Sequence, residues 1–281
     1  MFRALSLLPL PVLYAAFAVA AGFLRILGWR RDLVVDMLGR CLPELAPSDR
    51  DAILRGFYRY LGELAAEVMH AGRISRASLE QRMRFENPEV VQQALQEGRR
   101  VMLLAAHHCN WEWLLQRCSI AFDAPLVVAY KPASWAHADR SLEFMRSRFG
   151  AEMIPAGQLV HTLLERRGRV PLLALAADQS PSAKSEQQAW LPFFGQETAF
   201  FQGPGWIGAR MHYLPVFIAV RREGRGRYVA RLEPLVAPRE RADPGQILRT
   251  YVEALEAQVR AHPAQYFWAY KRWKRPRRLY D

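Results

Sequence analysis

The first half of the chain contains one uninterrupted apolar run and one periodic apolar pattern. No charge interrupts Ala4 to Leu24, which as a helix would extend roughly 31 Å at ~1.5 Å per residue, close to the thickness of a bilayer's hydrocarbon core. A second helix is predicted from Ser48 to about His70, with Ser48 as its cap and Gly72 just beyond its end. Its apolar positions fall on one helical face: Leu54, Phe57, Leu61, Leu64 and Val68.

After a further helix, opened by Asn87-Pro88 and closed by Gly98, the pattern changes to short apolar runs. Continuous apolar runs of this length are typical of strands buried on both faces. These runs are Val101–Ala106, Pro125–Ala129 and Val170–Ala177, with later strands predicted at Leu214–Val220 and Arg227–Glu233. Helical patterns lie at roughly Trp135–Phe149, Gly157–Arg167 and Pro244–His262. This alternation predicts an α/β fold with a mostly parallel mixed sheet flanked by helices.

Two regions are predicted: an N-terminal hydrophobic membrane anchor at residues 1–28 and an α/β domain at residues 29–281. Arg25, Arg30 and Arg31 follow the apolar run, against Arg3 before it, so the positive-inside rule orients the rest of the chain toward the cytoplasm. A signal peptide fits less well, because the run exceeds a usual signal core. A buried core helix and a helix lying in the membrane interface remain alternatives.

The net charge indicates which partners the protein binds, and the cysteines indicate the redox state of its compartment. The formal net charge is +12, which favours anionic partners such as nucleic acid, anionic lipid or an acidic carrier protein. The three cysteines have no repeating spacing, so a reducing compartment is the simpler interpretation.

Candidate chemistry lies in the segment His107-His108-Cys109-Asn110-Trp111-Glu112, directly after the first buried strand. Ligands of open α/β sheets bind beyond the carboxyl ends of the strands. Asn110 can cap a helix that begins at Trp111, which puts Glu112 in its first turn. We expect Glu112 to orient the His107 imidazole, whose other nitrogen then acts as general base toward a substrate hydroxyl.

His107 and Glu112 form an H-x4-E pair, and the H-H-C-N-W-E segment resembles the H-x-G-N-W-E segment of the lipid A secondary acyltransferases. These lauroyl and myristoyl transferases belong to the wider glycerolipid acyltransferase superfamily. Cys109 replaces the family's usual Gly, and His108 is excluded as the motif histidine because Trp113 stands five residues on.

The resemblance extends over about residues 30 to 276. Matching segments are Arg30-Arg31, Leu42–Leu45, Tyr130-Lys131-Pro132, Phe149-Gly150, Met153–Pro155, Ala177-Asp178-Gln179, Leu191–Gly195, Gln265–Trp268 and Arg272-Trp273-Lys274. Lys131 stands where the family usually has Arg, and Met37 where it usually has Asn. Lys supplies a point charge without the bidentate fork of Arg.

The resemblance implies an acyl-carrier protein as donor and a lipid A precursor as acceptor, at the cytoplasmic face of a bacterial inner membrane. It implies His107, Glu112 and Lys131 as catalytic residues, with Lys131 stabilising negative charge, and no metal or organic cofactor. Substrate-binding roles are expected for a polar and basic set beside the strand ends and in the C-terminal tail: Asn110, Asp178, Arg272 and Lys274.

Other readings of the same residues remain open. His107, His108, Cys109 and Glu112 are potential metal ligands, although no second cluster has zinc spacing. The basic C-terminal tail with Trp273 also suits nucleic acid, but beside an apolar N-terminus an anionic membrane surface is the better partner, and no nucleic acid is expected. Acylation of another lipid-like hydroxyl compound, or lipid binding without catalysis, are the alternative functions.

Overall fold

The computed structural model describes residues 6–132, 136–166, 168–181, 187–237 and 243–273. Its main element is a seven-stranded sheet with the strand order β1-β9-β8-β2-β5-β3-β4. The strands of this sheet are β1 (Met83–Phe85), β2 (Arg100–Ala105), β3 (Leu126–Tyr130), β4 (Glu152–Pro155), β5 (Leu172–Ala176), β8 (Tyr213–Gly224) and β9 (Arg227–Pro234). Strands β6 (Gln188–Phe193) and β7 (Gln196–Phe201) pair with each other in a separate two-stranded sheet. Only the β8–β9 pair of the seven-stranded sheet is antiparallel. The predicted α/β fold with a mostly parallel mixed sheet is confirmed.

Helices cover the sheet. They are α1 (Leu10–Ile26), α2 (Arg31–Cys41), α3 (Pro47–Ala71), α4 (Arg76–Arg82), α5 (Glu89–Gln96), α6 (Trp111–Ala121), α7 (Ala136–Ser147), α8 (Leu159–Glu165), α9 (Gly203–Arg210) and α10 (Pro244–Ala261). The predicted Ser48 cap is wrong, because α3 begins at Pro47 and Ala46 occupies the capping position without a side-chain hydrogen bond. Trp135 and Arg167, the outer limits of two predicted helices, lie outside the described residues.

Strands β2 and β5 are neighbours, and this pairing determines where the candidate site lies. Their parallel register aligns Ala105 with Ala176 at the carboxyl ends of the two strands. The Ala177 N–H then donates to the Ala105 carbonyl oxygen at 3.2 Å, extending the pairing by one residue. Because both strands run in the same direction, the residues that follow them emerge at one edge of the sheet.

Helix α1 packs closely along α3. A Cβ atom at Gly62 would lie 2.7 Å from the Phe17 carbonyl oxygen and 2.8 Å from the Ala21 Cβ, so the absence of a side chain there permits the contact. The Tyr14 hydroxyl also donates to the buried Glu67 carboxylate at 2.8 Å. Helix α1 therefore packs into the same fold as the α/β elements, rather than standing apart from them.

The opposite side of α1 is apolar and exposed. Val19, Phe23 and Ile26 are 62%, 61% and 81% exposed. Among the described residues, no helix by itself has the length and apolarity to cross a bilayer; Leu10–Ile26 and Arg31–Cys41 meet those criteria only as a pair, bent by 83°. The predicted single-helix anchor is thus not confirmed.

Candidate active site

The turn between β2 and α6 carries the candidate catalytic histidine. Cys109 in this turn has φ +52°, in the left-handed region that favours glycine, which explains why a glycine suits this position in the family that the sequence resembles. Asn110 caps α6, as predicted: its side-chain oxygen accepts the Trp113 N–H at 2.9 Å. The Tyr60 hydroxyl donates to the Cys109 carbonyl oxygen at 2.7 Å and holds the turn from α3.

The segment after α10 holds the same turn from the other side. The Cys109 N–H donates to the Gln265 carbonyl oxygen, and the Phe267 N–H donates to the His107 carbonyl oxygen, both at 3.0 Å. Residues Gln265–Trp268 thus help to hold the turn in place. This role accounts for the match of these residues to the family segment.

His107 is bonded to Asp178, which follows β5. The imidazole Nδ1 lies 2.7 Å from Asp178 Oδ1, and the backbone N–H of His107 donates to Asp178 Oδ2 at 3.1 Å. The Asp178 side chain is 3% exposed and the His107 side chain 23% exposed. A carboxylate on Nδ1 selects the tautomer with its proton there and leaves Nε2 as an acceptor.

Burial and neighbouring charges shift the pKa values of His107 and Asp178 in opposite directions. Burial disfavours the imidazolium, but the charge and hydrogen bond of Asp178, together with the charge of Glu112, raise the pKa of His107 above its usual value. Burial likewise opposes ionisation of Asp178, yet His107 holds the pKa of this carboxyl below its usual value. His107 is therefore a somewhat stronger base than a free imidazole, and its partner Asp178 is ionised.

A polar amide lies near His107 Nε2, and an aromatic ring packs against the imidazole. Nε2 lies 3.3 Å from the Gln179 side-chain nitrogen. The Trp111 ring meets His107 edge-on with centroids 5.1 Å apart, and Phe267 meets Trp111 at 5.8 Å. Apolar rings next to a partly exposed imidazole suit an amphipathic substrate.

Glu112 does not make the predicted hydrogen bond to His107, whose Nδ1 is bonded to Asp178 instead. It forms a two-point ion pair with Arg146 of α7: Arg146 Nε lies 2.8 Å from Oε2, and Nη2 lies 2.5 Å from Oε1. The Trp111 indole N–H also donates to Oε1 at 3.1 Å. Glu112 acts on His107 through its charge, and its hydrogen bonds hold Arg146 in place.

Arg146 is a site residue that the sequence analysis missed. The available signal was Glu112 itself, because a carboxylate on a buried helical turn requires a partner, and α7 carries two arginines, Arg140 and Arg146. The ion pair with Glu112 places Arg146 beside the catalytic turn, and its charge acts on both His107 and Tyr130, the last residue of β3. Lys131, the first residue after β3, is exposed at the same sheet edge.

The predicted substrate-binding residues have different surroundings. Asn110 is fully buried and uses both ends of its amide within the fold, donating to Glu67 at 2.7 Å while capping α6. Asp178 is engaged with His107. Arg272 is 5% exposed, stacks on the Phe200 ring at 4.3 Å and donates to the Ala199 carbonyl oxygen. Asn110 and Asp178 thus hold the site together through these hydrogen bonds, and their substrate-binding roles stay predictions.

Lys274 lies outside the described residues. Two nitrogens of Arg272, Nε and Nη1, have no hydrogen-bond partner within the part of the chain that the structure describes. Burial lowers the pKa of Arg272, and its charge helps to keep Asp178 ionised. Arg272 therefore supports the site through its charge, which favours the ionised form of Asp178.

His108 points away from His107. It is 1% exposed, and its Nε2 lies 3.1 Å from the His262 carbonyl oxygen. Burial lowers its pKa to about 4, so His108 is neutral at physiological pH. The three cysteines are buried thiols, and no group of three or more potential metal ligands occurs among the described residues.

Comparisons with known proteins identify the family of this chain. The sequence pattern of the family described as bacterial lipid A biosynthesis acyltransferase matches residues 1–275. A relative, the lipid A biosynthesis acyltransferase of Haemophilus influenzae, is 22% identical over 233 residues, which cover 81% of this chain and 70% of that protein. Because the family pattern extends over almost the whole sequence, this chain belongs to the bacterial lipid A biosynthesis acyltransferases.

Proposed function

We propose that the protein transfers a fatty acyl chain from acyl-carrier protein to a hydroxyl group of a lipid A precursor, with His107 as general base. The observation that carries this proposal is the hydrogen bond between His107 Nδ1 and Asp178 at the carboxyl ends of β2 and β5. Here Asp178 takes the orienting role that the H-x4-E spacing suggested for Glu112.

In the proposed reaction, His107 Nε2 accepts the proton of the acceptor hydroxyl as its oxygen attacks the thioester carbonyl carbon. The carbon–sulfur bond of the tetrahedral intermediate then breaks, and the imidazolium returns the proton to the departing thiolate. The acceptor hydroxyl is the nucleophile, so no covalent enzyme intermediate forms. Approach of the hydroxyl to Nε2 requires the Gln179 amide to give up its position 3.3 Å from this nitrogen.

Two cations are proposed to act on the negative charge of the reaction. Arg146, fixed by Glu112, and Lys131, exposed after β3, belong to the same edge of the sheet as His107. Fixed cations lower the energy of a developing oxyanion when they are in place before the reaction. Arg146 is held at two points, whereas Lys131 supplies a mobile charge for the oxyanion or for a substrate phosphate.

We further propose that the protein works at the cytoplasmic surface of a bacterial inner membrane. The exposed apolar side of α1 and the +12 net charge support contact with an anionic lipid surface. The same positive charge favours docking of the acidic acyl-carrier protein. At this surface, an acceptor anchored in the bilayer and a soluble donor can meet at one site.

Purified protein, lauroyl-acyl-carrier protein and a lipid A precursor in vesicles provide the test. Mass spectrometry of the lipids should detect one added acyl chain, and free carrier thiol should appear in equal amount. A hydroxyl-bearing phospholipid such as phosphatidylglycerol serves as the alternative acceptor.

Transfer to phosphatidylglycerol but not to the lipid A precursor would contradict the proposed acceptor. A His107→Ala protein distinguishes an enzyme from a lipid-binding protein: it should bind vesicles like the wild type but lose turnover.

A further inference from the structure

A buried carboxylate joins helix α1 to the catalytic turn. Glu67 of α3 has no solvent exposure, and its carboxylate accepts three hydrogen bonds from three different elements. The Tyr14 hydroxyl of α1 donates to Oε1 at 2.8 Å. The Asn110 amide and the Tyr228 hydroxyl of β9 donate to Oε2 at 2.7 and 2.8 Å.

This carboxylate connects to His107 through the cap of α6. Asn110 donates to Glu67 with its amide nitrogen and caps the Trp113 N–H with its oxygen. The Trp113 indole N–H in turn donates to the Glu67 backbone carbonyl oxygen at 3.1 Å, so the first turn of α6 is fixed to α3 at two points. A rotation of Asn110 would shift the turn that carries His107, three residues before it.

Asn110 cannot hold this orientation by itself. Its amide nitrogen would lose its partner if Glu67 moved, and a buried unpaired polar group is costly. Glu67 in turn depends on Tyr14, because a buried carboxylate requires compensating donors on both oxygens. Of the three donors, Tyr14 is the one that belongs to α1, which also carries the exposed apolar side.

We infer that Glu67 is a positioning residue for the catalytic turn, and that the Tyr14 hydroxyl makes this positioning depend on the packing of α1. Catalysis therefore requires α1 as part of the site support, beyond any role of this helix in contacting lipid. The inference rests on the proposed role of His107 as general base.

A matched pair of tyrosine variants separates positioning from general stability. Tyr14→Phe removes one donor from Glu67, whereas Tyr58→Phe removes a hydroxyl that donates to the Trp29 carbonyl oxygen at 2.7 Å and does not contact Glu67. Both variants should lower the thermal midpoint by about 3 °C, as expected for one lost hydrogen bond. Tyr14→Phe should also lower kcat about tenfold with little change in KM, while Tyr58→Phe keeps the wild-type kcat.

An exchange of donor and acceptor provides the rescue test. Asn110→Asp alone places two carboxylates within hydrogen-bond distance and should lower kcat about 100-fold. Adding Glu67→Gln restores a donor–acceptor pair in the reverse direction, with the second amide hydrogen available to the Tyr228 oxygen. The double variant should recover at least about tenfold of the lost kcat.

Two results would overturn the inference: a Tyr14→Phe kcat within about twofold of wild type, or an equal loss of kcat in Tyr58→Phe. If the double variant does not fold, as judged by thermal unfolding, the tyrosine pair alone decides. His107→Ala is measured alongside. Full turnover in that variant would refute the proposed function and this inference together, whereas its inactivity combined with a normal Tyr14→Phe refutes this inference alone.

Discussion

Asp178 contacts His107 twice, with one carboxylate oxygen 2.7 Å from the ring Nδ1 and the other 3.1 Å from the backbone nitrogen. The first contact determines the tautomer and rotation of the ring, and the second fixes the backbone from which the ring extends. A single side chain from a neighbouring strand thus controls both the chemistry and the position of the base.

Replacing Asp178 with Asn should lower kcat by about 100-fold or more, because an amide can stabilise the wrong tautomer and cannot stabilise the imidazolium. The measurement is kcat for acyl transfer at saturating donor and acceptor. Asp36→Asn is the control, since Asp36 forms an exposed ion pair with Arg40 on the surface of α2. Equal activity of the two variants would exclude Asp178 as the orienting residue.

The pH dependence of kcat/KM should show an acidic limb that belongs to His107. The neutral ring is the base, so activity rises with pH through its pKa, and this pKa is raised above the usual value of about 6.5. In Asp178→Asn the limb should move to lower pH, because burial then opposes the imidazolium with less compensation. A wild-type limb well below pH ~6.5, or a limb that stays in place in the variant, would contradict this assignment.

Glu112 and Arg146 should behave as one unit. Removing either partner leaves a poorly solvated charge unpaired and should cost ~3 kcal/mol of folding stability, with a loss of kcat because the cation is either displaced or absent. Glu112→Gln combined with Arg146→Gln should be no worse in kcat than the more damaged single variant. Losses that simply add would show that Glu112 acts on the reaction independently of Arg146.

Lys131 should contribute through its charge. Lys131→Arg should retain most activity, and Lys131→Ala should lose about tenfold in kcat if the charge acts on the oxyanion. A change confined to KM for the acceptor would instead indicate ground-state binding of an anionic headgroup. Wild-type values of both parameters in Lys131→Ala would leave Lys131 without a role.

The packing of helix α1 against α3 should contribute to the stability of the protein. Gly62→Ala introduces a Cβ atom 2.7 Å from the Phe17 carbonyl oxygen and should lower the free energy of unfolding by about 1–3 kcal/mol. Gly22→Ala is the matched control, because its Cβ meets nothing within 4 Å and alanine favours the helix by up to about 1 kcal/mol. Equal stability of both variants in thermal unfolding would show that α1 is not held against α3.

Deleting residues 1–28 should release much of the protein from membranes, as the predicted anchor requires. The exposure of the α3 surface around Gly62 and Glu67 should, however, destabilise the remaining domain. Membrane retention that survives both carbonate and high salt in the truncated protein would refute the anchor role.

Local patterns in the sequence predicted much of this fold. The features that were not predicted depend on contacts between residues far apart in the chain. The buried strand before His107 and the Asn110 cap depend on neighbouring residues, so they could be read directly. The choice between Asp178 and Glu112 as partner of His107 depends on β2 lying beside β5, which spacing along the chain does not encode. The H-x4-E spacing suggested Glu112, the carboxylate nearer in sequence, as the partner of His107. In the structure, Glu112 is instead paired with Arg146 of helix α7.

The two strands of the hairpin β6–β7 were not predicted from the sequence. Pro192 falls inside the apolar stretch of Gln188–Phe193, Gln196–Phe201 opens with three polar residues, and the two strands form a separate two-stranded sheet. The sequence of α1 was apolar enough to suggest an independent anchor, and only the contacts of Gly62 and Glu67 revealed that it packs on α3.

The most direct test of His107 as general base is the rate of acyl transfer by a folded His107→Ala protein at saturating acyl-acyl-carrier protein and lipid acceptor. Loss of the base should lower kcat at least ~100-fold, while vesicle binding and thermal unfolding remain close to wild type. A folded His107→Ala protein with near-normal kcat would contradict the proposed mechanism.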